Sequence, residues 1–371
     1  MKLEVTQENL SKALSMVSRI VGVRSTLPIL NNVLLKTEKG RLRLSATDLE
    51  VGFTTWVGAK IEREGAYTVP AKVFAEYCAA MVGKTVHLEQ KEGVLQVSGD
   101  HGEAALKGLP ADEFPLIPEP KGTQLLSLSP LLFKEGLKKA VVAAAADEAR
   151  PTLSGVLFWR EGPKLRIAAT DSYRLAEVQY LLATGREKTE APTKVIIPQR
   201  AAHELLRLLE GATETVSMVV TENQALFATP SFLLVSRLIE GEFPKYADII
   251  PKEGKTTVQL PTEELLRTVK VASLFAREAG NHITLTVHPK GEVVVKAASP
   301  QVGEHETRLP ATATGEEQSV SFNARFLQDA AASIATKEVE ILLTGKTSPA
   351  LFREEGNRDF LHLVMPLRLD G

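Results

Sequence analysis

The sequence predicts an α+β protein made of three repeats of one domain, each with two helices and antiparallel sheets. Three observations lead there: segments that recur in the same order, helical stretches with one apolar face, and many short strand patterns joined by glycine turns. A chain of 371 residues has room for about three domains, each able to bury its own core.

The repeat is read first. Arg43-Leu44-Ser45-Ala46-Thr47-Asp48 returns 123 residues later as Arg166-Ile167-Ala168-Ala169-Thr170-Asp171. At the same offset, Leu27-Pro28-Ile29-Leu30-Asn31-Asn32-Val33-Leu34 aligns with Arg150-Pro151-Thr152-Leu153-Ser154-Gly155-Val156-Leu157. Glu113-Phe114-Pro115 returns as Glu242-Phe243-Pro244 after 129 residues, and both copies reach an Ile-Pro, at Ile117-Pro118 and Ile250-Pro251. A fainter third copy shows where Val69-Pro70-Ala71-Lys72, Ile197-Pro198-Gln199-Arg200 and Phe322-Asn323-Ala324-Arg325 each open a helical pattern. It carries Ala297-Ala298-Ser299 in place of Ala-Thr-Asp. Shared order with drifting offsets means a repeated domain with loop insertions. The Pro-rich stretch at 115–120 and the segment Pro251–Thr256 then set the domains at 1–120, 121–251 and 252–371.

Each repeat opens on an amphipathic helix, over 6–21, 129–147 and 261–278. The apolar residues fall at helical spacing: Leu10, Ala13, Leu14, Val17; Phe133, Leu137, Ala140, Val141; Leu265, Val269, Ala272. Thr6, Ser129 and Thr262 offer N-cap oxygens. Strands follow at Val33–Thr37, Arg41–Ala46, Val156–Trp159 and Lys164–Ala169. Second helices span 70–82, 198–210 and 323–336. Each is followed by a strand pair: Thr85–Gln90 with Val94–Ser98, Thr215–Thr221 with Ala225–Thr229, and Glu338–Thr344 with Ala350–Glu354.

Composition narrows the class. The net charge of −2 by itself argues against a nucleic-acid-binding protein. The six helices hold twelve Lys/Arg and ten Asp/Glu, too small a bias to decide anything. Spacing says more. Lys12/Arg19, Arg200/Arg207 and Lys270/Arg277 lie seven apart, one pair per repeat, which puts each pair on one helical face. Such a face is either ordinary solvated surface or a face turned to phosphate, and a basic lining with an acidic exterior would reconcile −2 with DNA contact. The single cysteine, Cys78, permits no internal disulfide and fits a reducing cytoplasm; its apolar surroundings predict a buried, unreactive thiol. No apolar run reaches transmembrane length, and Met1–Val5 carries no apolar signal region.

Catalytic patterns fail in turn. Gly83-Lys84-Thr85, Gly254-Lys255-Thr256 and Gly345-Lys346-Thr347 lack the upstream glycine of a phosphate loop, where Cys78, Ile249 and Glu340 stand; they read as turns entering strands. Asp48 and Asp171 suggest a carboxylate pair, but each follows Ala-Thr at a strand end, the place of a turn-stabilising Asp. The seven histidines show no zinc spacing and no nucleophile elbow occurs, so no catalytic residue, metal or cofactor is expected.

Thr26-Leu27-Pro28-Ile29-Leu30, Leu44-Ser45-Ala46-Thr47-Asp48-Leu49-Glu50, Ala169-Thr170-Asp171-Ser172-Tyr173-Arg174-Leu175-Ala176, Gly241-Glu242-Phe243-Pro244 and the terminal Val364-Met365-Pro366-Leu367-Arg368-Leu369, in this order over the whole chain, resemble the bacterial DNA sliding-clamp family, the β subunit of the replicative polymerase III. The resemblance implies the DNA-clamp fold and a head-to-tail homodimer whose six domains close into a ring, helices inside and sheets outside. Such a ring slides on duplex DNA without reading its sequence, tethers a replicative polymerase subunit and is opened by an ATPase clamp loader. Other replication and repair proteins are further implied partners; a membrane is not. The implied peptide pocket is Leu153, Thr170, Ser172, Tyr173, Arg174, Leu175, Pro244, Ile249, Leu363, Met365, Pro366, Leu367 and Arg368. The family often shows Gly-His where this chain has Ser172-Tyr173, a departure at the rim that bears on the peptide preferred. The DNA-facing set is Lys12, Arg19, Arg24, Lys72, Lys138, Arg200, Arg207, Lys270 and Arg277. The dimer contact sets Leu274 and Phe275 against Leu106. Two rival readings are a non-encircling interaction scaffold and an enzyme using Asp48 and Asp171; neither explains the terminal motif.

Overall fold

A computed structural model describes residues 1–22, 27–119, 123–147, 149–182 and 193–367. Arg24, Arg368 and the expected 120/121 boundary lie outside the described residues. Among those described, six α-helices occur: α1 (Gln7–Val17), α2 (Ala71–Ala80), α3 (Pro130–Val141), α4 (Gln199–Leu208), α5 (Thr262–Ala276) and α6 (Ala324–Ser333). Every predicted apolar face is buried: Leu10, Ala13, Leu14 and Val17 on α1, Phe133, Leu137, Ala140 and Val141 on α3, Leu265, Val269 and Ala272 on α5.

The helices are shorter than their apolar period. Ile20 and Val21 are buried beyond the end of α1, and Ala143 and Ala144 beyond α3, so the pattern runs on into non-helical turns. Arg19 therefore lies two residues past α1, with its Nε donating to the Ser15 carbonyl at 3.0 Å. Arg277 opens a 3-10 turn, Arg277–Ala279, that ends at Gly280 with φ of 67°, a conformation glycine adopts without a Cβ penalty. Only Arg200 and Arg207 share one α-helix. The caps differ as well. Ser129 Oγ accepts from the Leu132 amide at 3.4 Å, but Thr6 makes no cap bond, and Pro261 takes the cap position that Thr262 was expected to fill.

The chain divides into two compact units, Met1–Phe133 with Glu204–Leu238 and Lys134–His203 with Ile239–Gly371. The first holds two antiparallel sheets. One has five strands in the order Lys60–Arg63, Lys2–Thr6, Thr85–Lys91, Val94–Gly99, Gly102–Lys107. The other has eight: Thr123–Leu128, Val216–Val220, Gln224–Ala228, Phe232–Arg237, Val51–Gly58, Arg41–Thr47, Asn32–Glu38, Ala66–Pro70. Here α1 packs on α2 and on the strands Arg41–Thr47 and Val51–Gly58. Cys78 on α2 is buried, and desolvation pushes its thiol up to about 12, so it stays protonated and inert.

The second unit repeats the scheme. Its nine-stranded sheet runs Thr193–Pro198, Gly155–Glu161, Lys164–Thr170, Arg174–Leu181, Asn357–Val364, Ala350–Glu354, Glu338–Leu343, Thr256–Pro261, Thr312–Gly315; a four-stranded sheet runs Gly303–Pro310, Glu292–Ser299, His282–His288, Gln318–Asn323. α5 and α6 close over a core that includes Val269, Ile283, Phe322, Phe352 and Phe360. Each such side chain contributes about 1.5–3 kcal/mol by leaving water.

One pairing rule governs both large sheets. The strand after Thr47 pairs antiparallel with Phe232–Arg237 of the next repeat, and the strand after Thr170 pairs with Asn357–Val364 of the repeat after that. The third repeat's matching strand, Gly303–Pro310, is a sheet edge, and so is the first repeat's Gly102–Lys107, which corresponds to Phe232–Arg237. Of the Gly-Lys-Thr triplets, Thr85 and Thr256 do open strands, whereas Gly345-Lys346-Thr347 lies in a turn and the strand starts at Ala350.

Candidate functional site

The corners at Thr47–Val51 and Thr170–Arg174 are built alike. Thr170 Oγ1 donates to the Arg174 carbonyl at 2.7 Å and accepts from the Ser172 amide at 3.2 Å. Asp171 Oδ1 accepts from the Tyr173 and Arg174 amides, both at 2.9 Å. In the first repeat Thr47 Oγ1 donates to the Val51 carbonyl at 3.0 Å, and Asp48 Oδ1 accepts from Glu50 at 3.1 Å and Val51 at 2.8 Å. Leu49 and Ser172 occupy matching left-handed positions, φ 79° and 78°. Both aspartates thus spend Oδ1 on two turn amides, as local side-chain caps do. Among the described residues no group of three or more His, Cys, Asp or Glu is placed to hold a metal ion.

The second corner ends on the strand Arg174–Leu181, which pairs with the last strand of the chain, Arg174 opposite Val364 and Leu175 opposite Leu363. The Met365 amide then donates to the Tyr173 carbonyl at 2.8 Å, and the Leu367 amide to that of Ser321 at 2.8 Å. Leu175 and Leu363 join a buried cluster with Leu157, Tyr246, Leu351 and Leu361, against which Met365, Phe243 and Ile250 pack while only partly buried. Tyr173 and Ile249 stand at 61% and 48% exposure, large apolar groups left open to solvent. Leu153 and Thr170 are buried, Pro244 is exposed, and Pro366 and Leu367 are half-buried.

Arg174 does not stand free at the rim. Its Nε pairs with Asp171 at 3.0 Å, its Nη1 with Asp329 of α6, and its guanidinium lies 4.6 Å from the centre of the Phe326 ring, on which Tyr173 also stacks. Arg150 Nη1 donates to Ser172 Oγ at 3.0 Å. His362 is fully buried on the last strand; desolvation, and then the charge of Arg174, bring its imidazole down to about 3, so it is neutral. Tyr246 donates to Glu177, and burial with that carboxylate raises its phenol. Tyr246, Phe243 and Ile250 also pack in or on the cluster that holds Leu175 and Leu363, although the sequence motifs named only Phe243, inside Glu242-Phe243-Pro244, and Ile250, in its Ile-Pro.

The described members of the basic set are all exposed: Lys12, Arg19, Lys72, Lys138, Arg200, Arg207, Lys270 and Arg277. Arg207 is engaged by Glu204 at 2.5 Å. Lys139, beside Lys138, is instead half-buried and paired with the buried Glu354 at 2.6 Å, and Glu354 also accepts from the Ala335 amide and Asn357. This charge is structural and is not available to phosphate. No helix among the described residues is long and apolar enough to cross a membrane.

Three family profiles match in tandem: the DNA polymerase III beta subunit N-terminal domain over residues 1–118, its central domain over 127–245 and its C-terminal domain over 247–368. The chain is 33% identical to the beta sliding clamp of Synechococcus elongatus, with all of both chains aligned, and 28% identical to that of Bacillus subtilis over 99% of this chain and all of the relative. Crystal structures of the DNA polymerase III subunit beta from Pseudomonas aeruginosa (TM-score 0.93, 29% identity, 100% of both chains) and of the sliding clamp from Bacillus subtilis (TM-score 0.94, 28% identity, 100% of this chain and 99% of that one) have the same fold. Matched from end to end in sequence and in structure, this chain belongs to the DNA polymerase III beta subunit family, the beta sliding clamps, and is a polymerase processivity factor and not an enzyme.

Proposed function

We propose that two copies of this chain close head to tail into a cytoplasmic ring that encircles duplex DNA and tethers its partners through the pocket beside the second corner. The observation that carries the ring is the pairing rule. Two repeat junctions are each made by one strand pair in a continuous sheet, and the two strands that the rule assigns to the next junction, Gly303–Pro310 and Gly102–Lys107, both stand at sheet edges. Joining them gives a nine-stranded sheet of five plus four strands, the same size as the second unit's own. It also removes two exposed edges, which otherwise invite aggregation. Leu106 lies on one edge strand; Leu274, 55% exposed, and Phe275, stacked on His305, lie beside the other.

The exposed basic residues serve the DNA. A sliding protein contacts phosphates and leaves base edges alone, so binding is weak, sequence-independent and salt-dependent. Lys12, Arg200, Arg207 and Lys270 on their helices, with Arg19, Lys72, Lys138 and Arg277, form that surface. Arg24 belongs to the same proposal. Domains at 1–120, 121–251 and 252–371, an ATPase loader, a replicative polymerase subunit and other replication and repair proteins as partners complete the reading.

The experiment is the particle's mass in solution. The parent should have twice the subunit mass, and Leu274→Asp with Phe275→Asp should give monomers. A parent that is monomeric, or a variant that stays dimeric with an unchanged mass, would refute the seam.

A further inference from the structure

In the second repeat, Trp159 stands on the sheet directly between Arg166 and Lys194, in register with both. The Arg166 guanidinium lies 4.3 Å and the Lys194 ammonium 4.2 Å from its ring centre. The indole packs on the apolar cluster around Leu157 and covers that side of it. In the first repeat the same three register positions hold Lys36, Arg43 and Ala66. The arginine is kept, the tryptophan has become lysine and the flanking lysine has become alanine.

The first repeat's tryptophan, Trp56, stands instead on the other side of Arg43, where the second repeat has Gln179, and packs on the apolar cluster from there. The position of Trp159 is thus left without a ring, and a cavity of about 750 Å³ is lined by Leu34, Lys36, Arg43, Ala66, Phe114 and Ile117 among others. This falls in the ordinary range of ligand sites, about 300–1,000 Å³. Its apolar lining includes Leu34, Phe114 and Ile117, which belong to or pack on the buried cluster that also holds Ile29, Leu30, Leu226 and Leu233. Its sheet side is cationic. Lys36 is exposed and forms no ion pair among the described residues, while Arg43 reaches Glu38 only at 3.8 Å. Asp112 and Glu119, from the segment that leads to the second repeat, also line it. Leu116, beside them, is 92% exposed.

We propose that this cavity is a second docking site, for a linear segment of a partner protein that carries an aromatic side chain next to a carboxylate. The ring takes the place that Trp159 fills in the second repeat, over the Arg43 guanidinium and against Leu34 and Phe114, and the carboxylate meets Lys36. The second repeat supplies the template: a planar ring between cations on this sheet face is a packing the fold already makes, and a cation over an aromatic face is attractive once water is displaced. The proposal does not depend on the pocket beside the second corner.

The test titrates the full chain by calorimetry with an acetylated, amidated peptide of sequence Gly-Asp-Trp-Glu-Leu-Gly. The parent should bind it at a single site per chain. Lys36→Trp with Ala66→Lys rebuilds the plug on an exposed face and should weaken binding about tenfold or more, as should replacing the peptide's tryptophan with alanine. Lys36→Glu, a surface change, should weaken it through the carboxylate. Met365→Ala with Leu175→Ala should leave binding unchanged. The proposal is overturned if the parent does not bind, if the plugged variant binds as the parent does while melting normally, or if the Met365/Leu175 variant loses the peptide.

Discussion

The corners at Thr47–Val51 and Thr170–Arg174 share their hydrogen bonds and differ in nearly everything those bonds present. After the first corner come Glu50, Val51 and Gly52; after the second, Tyr173, Arg174 and Leu175. The following repeat answers each in the same way, the Arg237 amide donating to Glu50 at 2.9 Å and the Met365 amide to Tyr173 at 2.8 Å. One junction therefore offers Gly52 and Arg237 where the other offers Leu175 and Met365. At the first, Ile117 fills the space beside Gly52, with its Cγ2 3.4 Å from where a Cβ would stand. The backbone device is a scaffold that every junction needs. The binding capacity proposed for the second corner is an addition made by three or four side chains hung on it.

The sharpest way to break this comparison is at the added side chains. Met365→Ala with Leu175→Ala should abolish binding of a polymerase tail peptide, since each lost contact with a large apolar anchor is worth about 1.5–3 kcal/mol. Arg237→Ala at the matching place should leave the affinity unchanged. Equal peptide affinity of the first variant and the parent would move the pocket elsewhere.

The shared scaffold is probed by Asp171→Ala and Asp48→Ala in urea melts. Each strands two turn amides, at a cost of about 1–3 kcal/mol. The cost should be greater at Asp171, which also holds Arg174. If Asp48→Ala costs more, the ion pair around Arg174 adds nothing.

Acid should separate the two regions next. His362 lies fully buried on the strand that answers the second corner, with its imidazole held near 3 by burial and then by Arg174. Its folded value is below the unfolded value of about 6.5, so the unfolded chain takes up the proton first. The neutral imidazole is no liability above pH about 6.5; as pH falls from there towards 3, folding loses up to about 1.4 kcal/mol per unit. His362→Phe should flatten that slope in thermal melts. An unchanged slope would assign acid sensitivity to the carboxylates instead.

The smallest effect is expected at the left-handed residues. Leu49→Gly should stabilise by about 0.5–1 kcal/mol or less, because glycine adopts φ of 79° without its Cβ clashing. Ser172→Gly should gain less, since it also loses the bond from Arg150. A loss of stability at Leu49 would show that its side chain, though half exposed, does more than its backbone costs.

Much of this was legible in the sequence, and the failures have identifiable causes. The helix faces, the threefold repeat and the turn role of the aspartates follow from local pattern. The strand Val51–Gly58 does not, because it is buried on both faces along most of its length and shows no alternation. Helix ends were placed too late since burial continues at Ile20, Val21, Ala143 and Ala144 after the hydrogen bonds stop. In the candidate site, the proposed pocket motif could be carried over residue by residue, but Asp329 and Phe326 bind Arg174 from 155 and 152 positions away, and no spacing announces that. Trp159 and Lys36 could be aligned by offset, yet only strand register shows that both face Arg43 or its counterpart.

The two edge strands that the pairing rule leaves without a partner, Gly102–Lys107 and Gly303–Pro310, carry a topological consequence. A heterologous contact repeated by rotation either closes or grows without end. Any open row of these chains, however long, keeps one bare half-sheet of five strands at one end and one of four at the other. Two copies joined both ways keep none. Parting one seam of such a pair gives a crescent, still a single particle held by its other seam, so a strand of DNA could be admitted without the copies ever separating. Dilution acts differently, because both seams must fail before a copy diffuses away. Gate and hinge would then be identical surfaces, distinguished only by which one something else chooses to pull.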